Sequence, residues 1–250
     1  MEHKLGGNPL MTIVIPAYNE AHRLPETLRR VIAFVETASV PLNVLVVNNN
    51  SRDETSAIAL AMASEYPCLR VIDQPIQGKG AAVRKGIFEA DGRYVFICDA
   101  DLAMPIEELP RFYPERLGKD YDIAIGSREA PGARRFNEPF YRHLMGRVFN
   151  LMVRVLAVPG IQDTQCGFKA FRREVGQRIF AVQKVDGFAF DVEVLAIARR
   201  WGFPIIEVGI PWYYGKGGSI HPLRDAYRMF REVLAIRRHV RAGGYDHASS

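Results

Sequence analysis

From Met11 onward, short apolar runs rich in β-branched residues stop at polar turns, and each turn hands over to a stretch with helical apolar spacing. Met11 to Pro16 breaks at Pro16-Ala17-Tyr18-Asn19-Glu20, after which Pro25 and Glu26 open an amphipathic helix through Ala38 with Leu28, Val31, Ile32 and Val35 on one face. Val44 to Val47 ends at Asn48-Asn49-Asn50, where Ser51 and Glu54 have the spacing of a capping box for a helix through Ala63. Leu69 to Ile72 leads through Gln77-Gly78-Lys79-Gly80 into a helix from Ala81 to Ala90. Arg93 to Cys98 delivers Asp99-Ala100-Asp101 and precedes a helix from Ile106 to Leu117. Tyr121 to Ile125 ends at Gly126-Ser127-Arg128. Strand and helix in alternation, joined by right-handed crossovers, predict an α/β fold with a mostly parallel sheet flanked by helices. Every one of those polar turns then lies at the sheet edge where ligands bind.

The second half changes character. Ala130 to Glu138 reads as a polar loop, and Phe140 to Leu156 as a helix with Arg142, His143, Arg147 and Arg154 among apolar residues, either a face for acceptor phosphates or a solvated surface. Phe190-Asp191-Val192-Glu193 opens an apolar helix to Arg200, and Ile205 to Ile210 is a late strand before Pro211-Trp212 and a loose segment. Pro222 to about Val240 is a basic amphipathic helix whose pattern suits either docking on anionic lipid or packing on its own domain. Residues after Gly243 read as a disordered tail.

A chain of 250 residues suits one large α/β domain or a core with a small subdomain. A net charge of +5 is compatible with phosphate-bearing ligands or an anionic membrane surface, and is too small to indicate nucleic-acid binding. Cys68, Cys98 and Cys166 are widely spaced and show no metal-ligand pattern, which fits a reducing cytoplasm. With no apolar run of transmembrane length and no signal-peptide core in the first ten residues, the expected location is cytoplasmic.

Two carboxylates one residue apart at a strand end repel unless a cation or a donor-rich pocket holds them, and hard oxygen ligands suit Mg²⁺ or Mn²⁺ carried by substrate phosphates. The plainer reading of Asp99 and Asp101 is an Asx turn capping the next helix. Gly78-Lys79-Gly80 can bring backbone donors and an ammonium to a phosphate, or simply form a flexible helix start without the full phosphate-loop spacing.

Taken in order, Ile15-Pro16-Ala17-Tyr18-Asn19-Glu20, Gly78-Lys79-Gly80, Asp99-Ala100-Asp101, Gly126-Ser127-Arg128, Asp163-Thr164-Gln165-Cys166-Gly167-Phe168-Lys169 and Phe190-Asp191-Val192-Glu193 resemble the motifs of family 2 glycosyltransferases. The match runs from about residue 10 to 215 and is nearest the dolichyl-phosphate β-glucosyltransferase and polyprenyl-phosphate hexosyltransferase branch. The resemblance implies a nucleotide-diphospho-sugar transferase fold over residues 1–240. Within it, 10–128 would bind the nucleotide sugar, 129–221 the acceptor, 222–240 would be the basic helix, and 241–250 the tail. It implies Asp101 as the principal metal ligand with Asp99 at the ribose or a metal-bound water. Pro16, Ala17, Tyr18 and Glu20 would line the nucleotide pocket together with Ala100, Lys79 and Gln165. Relatives carry an aspartate at the end of the second strand, against uracil. Here that residue is Asn48, which donates as well as accepts, so both UDP-sugars and GDP-sugars stay open as donors.

The reaction implied is inverting transfer of a hexose to a polyprenyl phosphate at the cytoplasmic face of a membrane, with Arg128, Arg142 and Arg147 holding the acceptor phosphate. A soluble hydroxyl compound, a glycan or a peptide is the alternative acceptor. It would need a general base, for which Asp191, Glu193 and Asp163 are the candidates; Asp163 alternatively organises its loop. A non-catalytic nucleotide-binding interaction protein is disfavoured by the intact Asp99 and Asp101. A sugar-phosphate nucleotidyltransferase or a dinucleotide-binding oxidoreductase would require early glycine signatures that this chain lacks.

Overall fold

The computed structural model describes residues 8–215 and 222–246, without the side chains at 141, 142, 144, 145, 148, 149 and 222–228. The elements in chain order are β1 (Met11–Ala17), α1 (Leu24–Thr37), β2 (Leu42–Asn48), α2 (Thr55–Glu65), β3 (Leu69–Asp73), α3 (Lys79–Glu89), β4 (Tyr94–Ile97) and a 3₁₀ stretch (Ile106–Phe112). They continue as β5 (Ile123–Ser127), β6 (Arg134–Phe136), α4 (Phe140–Leu156), β7 (Lys169–Arg172), α5 (Arg173–Ala181), α6 (Phe190–Arg200), β8 (Ile205–Gly209), β9 (Pro211–Tyr213) and α7 (Pro222–Arg241).

A seven-stranded sheet runs in the order β3-β2-β1-β4-β7-β5-β8. Every strand pair is parallel except those made by β7, which lies antiparallel to both β4 and β5. The expected mostly parallel sheet is thus present. Burial on both faces explains why its strands are almost continuously apolar. Ile13, Ile15, Val44, Val46, Tyr94 and Phe96 pack on one side with Leu24, Leu28, Val31 and Ile32 of α1. Val14, Leu45, Val47, Val95 and Ile97 face the other side with Ile87 of α3, Ile179 of α5, Val194 of α6 and Val233 of α7. The period-two alternation of strand side chains divides one run of residues between two cores.

Several local expectations give way to tertiary context. The helix anticipated over 106–117 is only the 3₁₀ stretch, because Pro110 inside it cannot donate a backbone hydrogen bond. The Ser51/Glu54 capping box does not form: Ser51 Oγ accepts from the Asn19 backbone instead, and Asp53 accepts from Thr55. The 130–138 loop contains β6, which pairs with β9 in a second, two-stranded sheet. Strand β7 and helix α5 form in a stretch whose sequence suggests only a motif-bearing loop. The tail reading fails for 243–246: Tyr245 is 1% exposed and its hydroxyl donates to Glu193 at 2.6 Å, while 247–250 lie outside the described residues. Part of the loose segment, 216–221, lies outside them too.

Candidate active site

The chain runs β1, β2, β3 outward in one direction and then places β4 on the opposite side of β1, so the strand order reverses at the carboxyl ends of β1 and β4. A crevice opens at such a point. Asp99 and Asp101 leave the end of β4 there. A sharp turn holds them, with Leu102 in the left-handed region at φ 45° and its N–H donating to the Asp99 carbonyl at 3.2 Å. A non-glycine residue in that conformation is strained and needs surrounding structure to maintain it. The Thr27 hydroxyl of α1 donates to the Ala100 carbonyl at 2.6 Å, and the Ala103 N–H donates to Asp101 Oδ1 at 3.0 Å.

Asp99 is held from two sides. Lys79 Nζ lies 2.7 Å from its Oδ1, and its Oδ2 rests against Gly167, where a Cβ would come within 2.2 Å. Asp101 is the exposed member of the pair. Burial of its surroundings, and then the Asp99 charge, raise its carboxyl above the ordinary range. Lys79 is held charged, the Asp99 and Asp191 carboxylates outweighing its desolvation.

The glycines around Lys79 serve a different purpose from the one the sequence suggested. Gly80 and Ala81 N–H both donate to the Asp186 carbonyl, at 2.8 and 3.2 Å, and Gly78 N–H donates to Asn49 Oδ1 at 2.7 Å. These amides are therefore committed within the protein rather than presented to a phosphate. Gly78, at φ 141°, lets the Asp186 loop approach so closely that a Cβ would sit 2.2 Å from its carbonyl oxygen. Lys79 supplies the charge and its flanking glycines the packing.

The loops after β1 and β2 are stitched together along the same edge. Asn19 N–H donates to Ser51 Oγ at 3.0 Å, Arg52 N–H to Asn19 Oδ1 at 2.8 Å, and Glu20 N–H to Thr55 Oγ1 at 2.7 Å. Glu20 pairs with Arg23, yet its carboxyl is raised, chiefly by burial. Pro16 and Ala17 belong to β1 itself, and Tyr18 is exposed just beyond it. Asn48 is buried, with Nδ2 donating to Asp73 Oδ1 at 2.7 Å and Oδ1 accepting from Ser51 N–H at 3.3 Å.

Across β7 lie the groups from the second half. Arg128 grips Asp163 through Nε (2.7 Å) and Nη2 (2.9 Å), with its backbone N–H adding a third bond at 3.0 Å. The guanidinium also lies 5.4 Å from the Trp212 ring centre. This grip outweighs burial and depresses the Asp163 carboxyl to about 2, so Asp163 is no proton acceptor and the loop-organising role is the one it fills. Asp191 pairs with the buried Lys169 at 2.6 Å; burial raises its carboxyl against the pull of Lys169 and Lys79.

Glu193 does not reach this cluster. Two residues along a helix are separated by about 200° of rotation, so Asp191 and Glu193 leave α6 on opposite sides. Glu193 accepts from Lys184 N–H, Val185 N–H and the Tyr245 hydroxyl, which makes it a structural anchor and removes it as a base. Gln165 is half-buried in the loop that carries Asp163. Arg147 stands exposed on α4 with no ion pair among the described residues, and the Arg142 side chain lies outside them. The sequence by itself assigns no role to Lys169, Trp212, Gly167 or Asp73. Only Lys169 carried a visible signal, as a cation inside an apolar strand.

Carboxylates, a charged lysine and two interlocked loops thus meet at the switch point of the sheet, the edge at which an α/β enzyme takes its ligand. The chain belongs to glycosyl transferase family 2, whose profile matches residues 12–180. It is 31% identical over 243 residues to a dolichyl-phosphate β-glucosyltransferase of Dictyostelium discoideum, covering 92% of this chain and 74% of that protein. It is 32% identical to the Homo sapiens dolichyl-phosphate β-glucosyltransferase, covering 91% and 74%. Among solved structures it shares its fold with glucosyl-3-phosphoglycerate synthase from Mycobacterium tuberculosis in complex with Mn²⁺, UDP-glucose and phosphoglyceric acid. There the TM-score is 0.64 at 18% identity, over 93% of this chain and 79% of that one.

Proposed function

We propose that the protein transfers a hexose from a nucleoside diphosphate sugar to a polyprenyl phosphate, with inversion at the anomeric carbon and with a divalent cation on the donor diphosphate. The observation that carries this reading is the exposed Asp101 beside Asp99 and Lys79 at the end of β4. The residues fit a cation: Asp101 stands exposed close enough to Asp99 to feel its charge, and desolvation by its surroundings together with that charge raises its carboxyl, a penalty that a hard cation relieves. Asp101 would hold it, with Asp99 beside it and donor phosphate oxygens as further ligands; among the described residues no group of three or more His, Cys, Asp or Glu is arranged to hold a metal ion by itself. When bound, the cation neutralises charge on the departing diphosphate.

Lys79 adds a fixed positive charge at the same place, and fixed charges aimed at a leaving group need no reorganisation during reaction. The acceptor oxygen attacks the anomeric carbon as the bond to the diphosphate breaks, and the nucleoside diphosphate departs with the electron pair. A phosphate acceptor is already anionic, so no proton has to be removed. Arg128 uses Nε and Nη2 on Asp163, which leaves Nη1 outside that fork for an acceptor phosphate. The dolichyl-phosphate acceptor named for the relatives supports this reading, and the UDP-glucose and Mn²⁺ named for a protein of the same fold support the donor and cation.

A membrane surface is the natural place for such an acceptor. No helix among the described residues is long and apolar enough to cross a membrane. Among its described side chains the basic α7 buries Val233 and Ile236 against the domain and leaves Phe230 37% exposed. Helix α4 offers more: Phe140, Leu151 and Val155 are 80%, 58% and 70% exposed, and their spacing places them on one helix face. A soluble hydroxyl acceptor is the second reading, favoured by the raised carboxyl of Asp191 as a proton acceptor.

Mass-spectrometric transfer assays across UDP- and GDP-sugars, polyprenyl phosphates and soluble acceptors test the proposal. Product is expected with polyprenyl phosphate, only with Mg²⁺ or Mn²⁺ present, and is expected to vanish in a folded Asp101→Ala variant. Undiminished turnover by that variant would sink the assignment.

A further inference from the structure

The strand ends form a ruler along the donor side of the crevice. Starting from the carboxylates after β4, the sheet steps to β1, β2 and β3, whose last residues Asn48 and Asp73 stand directly opposite each other. Three steps of about 4.8 Å span roughly 14 Å, which suits an extended nucleoside diphosphate with its phosphates at Asp101 and its base at the β2–β3 end. The other side of β4 is taken by the Lys169–Asp191 and Arg128–Asp163 pairs. At the base end, Asn48 is buried and both ends of its amide are engaged. Asp73 is exposed, and only its Oδ1 is held, by Asn48 Nδ2 at 2.7 Å. The Gln74 N–H donates to the Asn48 carbonyl at 2.8 Å and pins the two strand ends in register.

We infer that Asp73 is the base-reading carboxylate and that Asn48 is the residue that aims it. This rests on the nucleotide-sugar reading above and deepens it. An ionised carboxylate only accepts hydrogen bonds, so it selects bases that present a ring N–H. Uracil offers N3–H, and guanine offers N1–H together with its exocyclic amine. Cytosine and adenine instead present a ring lone pair, which a carboxylate repels. A carboxylate at this position predicts a site open to uridine and guanosine diphosphates and closed to cytidine and adenosine diphosphates.

Calorimetric titration of UDP, CDP, GDP and ADP with Mn²⁺ present tests this on the full chain. The wild-type protein is expected to bind UDP over CDP, or GDP over ADP, by about tenfold or more, because a site built to accept an N–H rejects the partner lacking it. Asp73→Asn keeps an oxygen for Asn48 and adds an amine that can donate to a ring nitrogen. It should collapse the UDP-to-CDP or GDP-to-ADP ratio toward one while the melting temperature holds. The transposed pair Asn48→Asp with Asp73→Asn, which moves the carboxylate one strand over, should recover part of the ratio. An unchanged ratio in Asp73→Asn, or a wild-type protein that binds all four equally, overturns the role of Asp73 and leaves the donor class standing. Absence of binding by all four to the wild-type protein would instead remove the nucleotide-sugar reading, and this inference with it.

Discussion

Gly167 shows how one missing side chain shapes the catalytic edge. Its Cα is where Asp99 Oδ2 rests, and a methyl group there would lie 2.2 Å from the carboxylate oxygen. Gly167→Ala should therefore displace Asp99 from Lys79 and lower transfer by at least about tenfold, a 1.4 kcal/mol loss. Steady-state assays over a metal titration check this, with circular dichroism confirming the fold. Asp163 makes a second residue-scale prediction. Its carboxyl lies near 2 in the folded protein against 3.8 for a free side chain. A depressed carboxyl stabilises the fold fully above the unfolded value, and the contribution disappears as pH falls through the folded one. About 2 kcal/mol should be lost between pH 4 and pH 2 from this group. Urea unfolding across that window should show a shallower pH dependence in Asp163→Asn, which is itself less stable because the half-buried Arg128 loses its charged partner.

At the level of elements, α4 and α7 show what their sequences leave open. Both have amphipathic spacing, and α7 carries more basic residues. Helix α7 turns Val233 and Ile236 into the core shared with α6 and leaves Phe230 37% exposed, whereas α4 turns Val153 into that core and keeps Phe140, Leu151 and Val155 outside. Amphipathicity states that a helix has an apolar face and is silent about what covers it. Replacing both Leu151 and Val155 with Glu should abolish flotation with anionic vesicles and leave nucleotide affinity unchanged. Retained flotation would remove α4 from the membrane reading. Strand β7 is the other element with a large consequence. Inserted antiparallel between β4 and β5, it brings the Asp163 to Lys169 loop against Asp99 and seats Lys169 beside Asp191.

Across the whole molecule, contacts run from the C-terminal end of the described chain to the donor side of the site. The Tyr245 hydroxyl donates to Glu193, Glu193 holds the Lys184 and Val185 amides, and the adjoining Asp186 carbonyl caps the start of α3, where Lys79 begins. Trp201 Nε1–H donates to the Tyr245 carbonyl at 2.7 Å and ties the same turn to α6. Tyr245→Phe keeps the ring packed and deletes one bond to a carboxylate, so it should cost about 1.5–3 kcal/mol. A lower urea midpoint at constant m-value would show that loss. A stability within about 0.5 kcal/mol of wild type would mean that the bond contributes nothing net.

What could be read from the chain alone is local in sequence. Alternating strand and helix patterns fixed the layered α/β architecture, because burial on both sheet faces demands apolar runs of that length. Turns at the carboxyl ends then placed Asp99, Asp101, Lys79 and the Pro16–Glu20 loop along one edge, and contiguous motifs named the family. Roles that depend on partners distant in sequence came only with folding. Asp163 and Glu193 looked like bases until Arg128, 35 residues away, and Tyr245, 52 residues away, occupied their oxygens. The glycines beside Lys79 read as a phosphate cradle or a flexible helix start until Asn49 took the Gly78 amide and the Asp186 carbonyl that of Gly80. A carboxylate's chemistry follows from which charges and donors surround it, and in this fold those neighbours are supplied by strands and loops that the linear pattern does not pair.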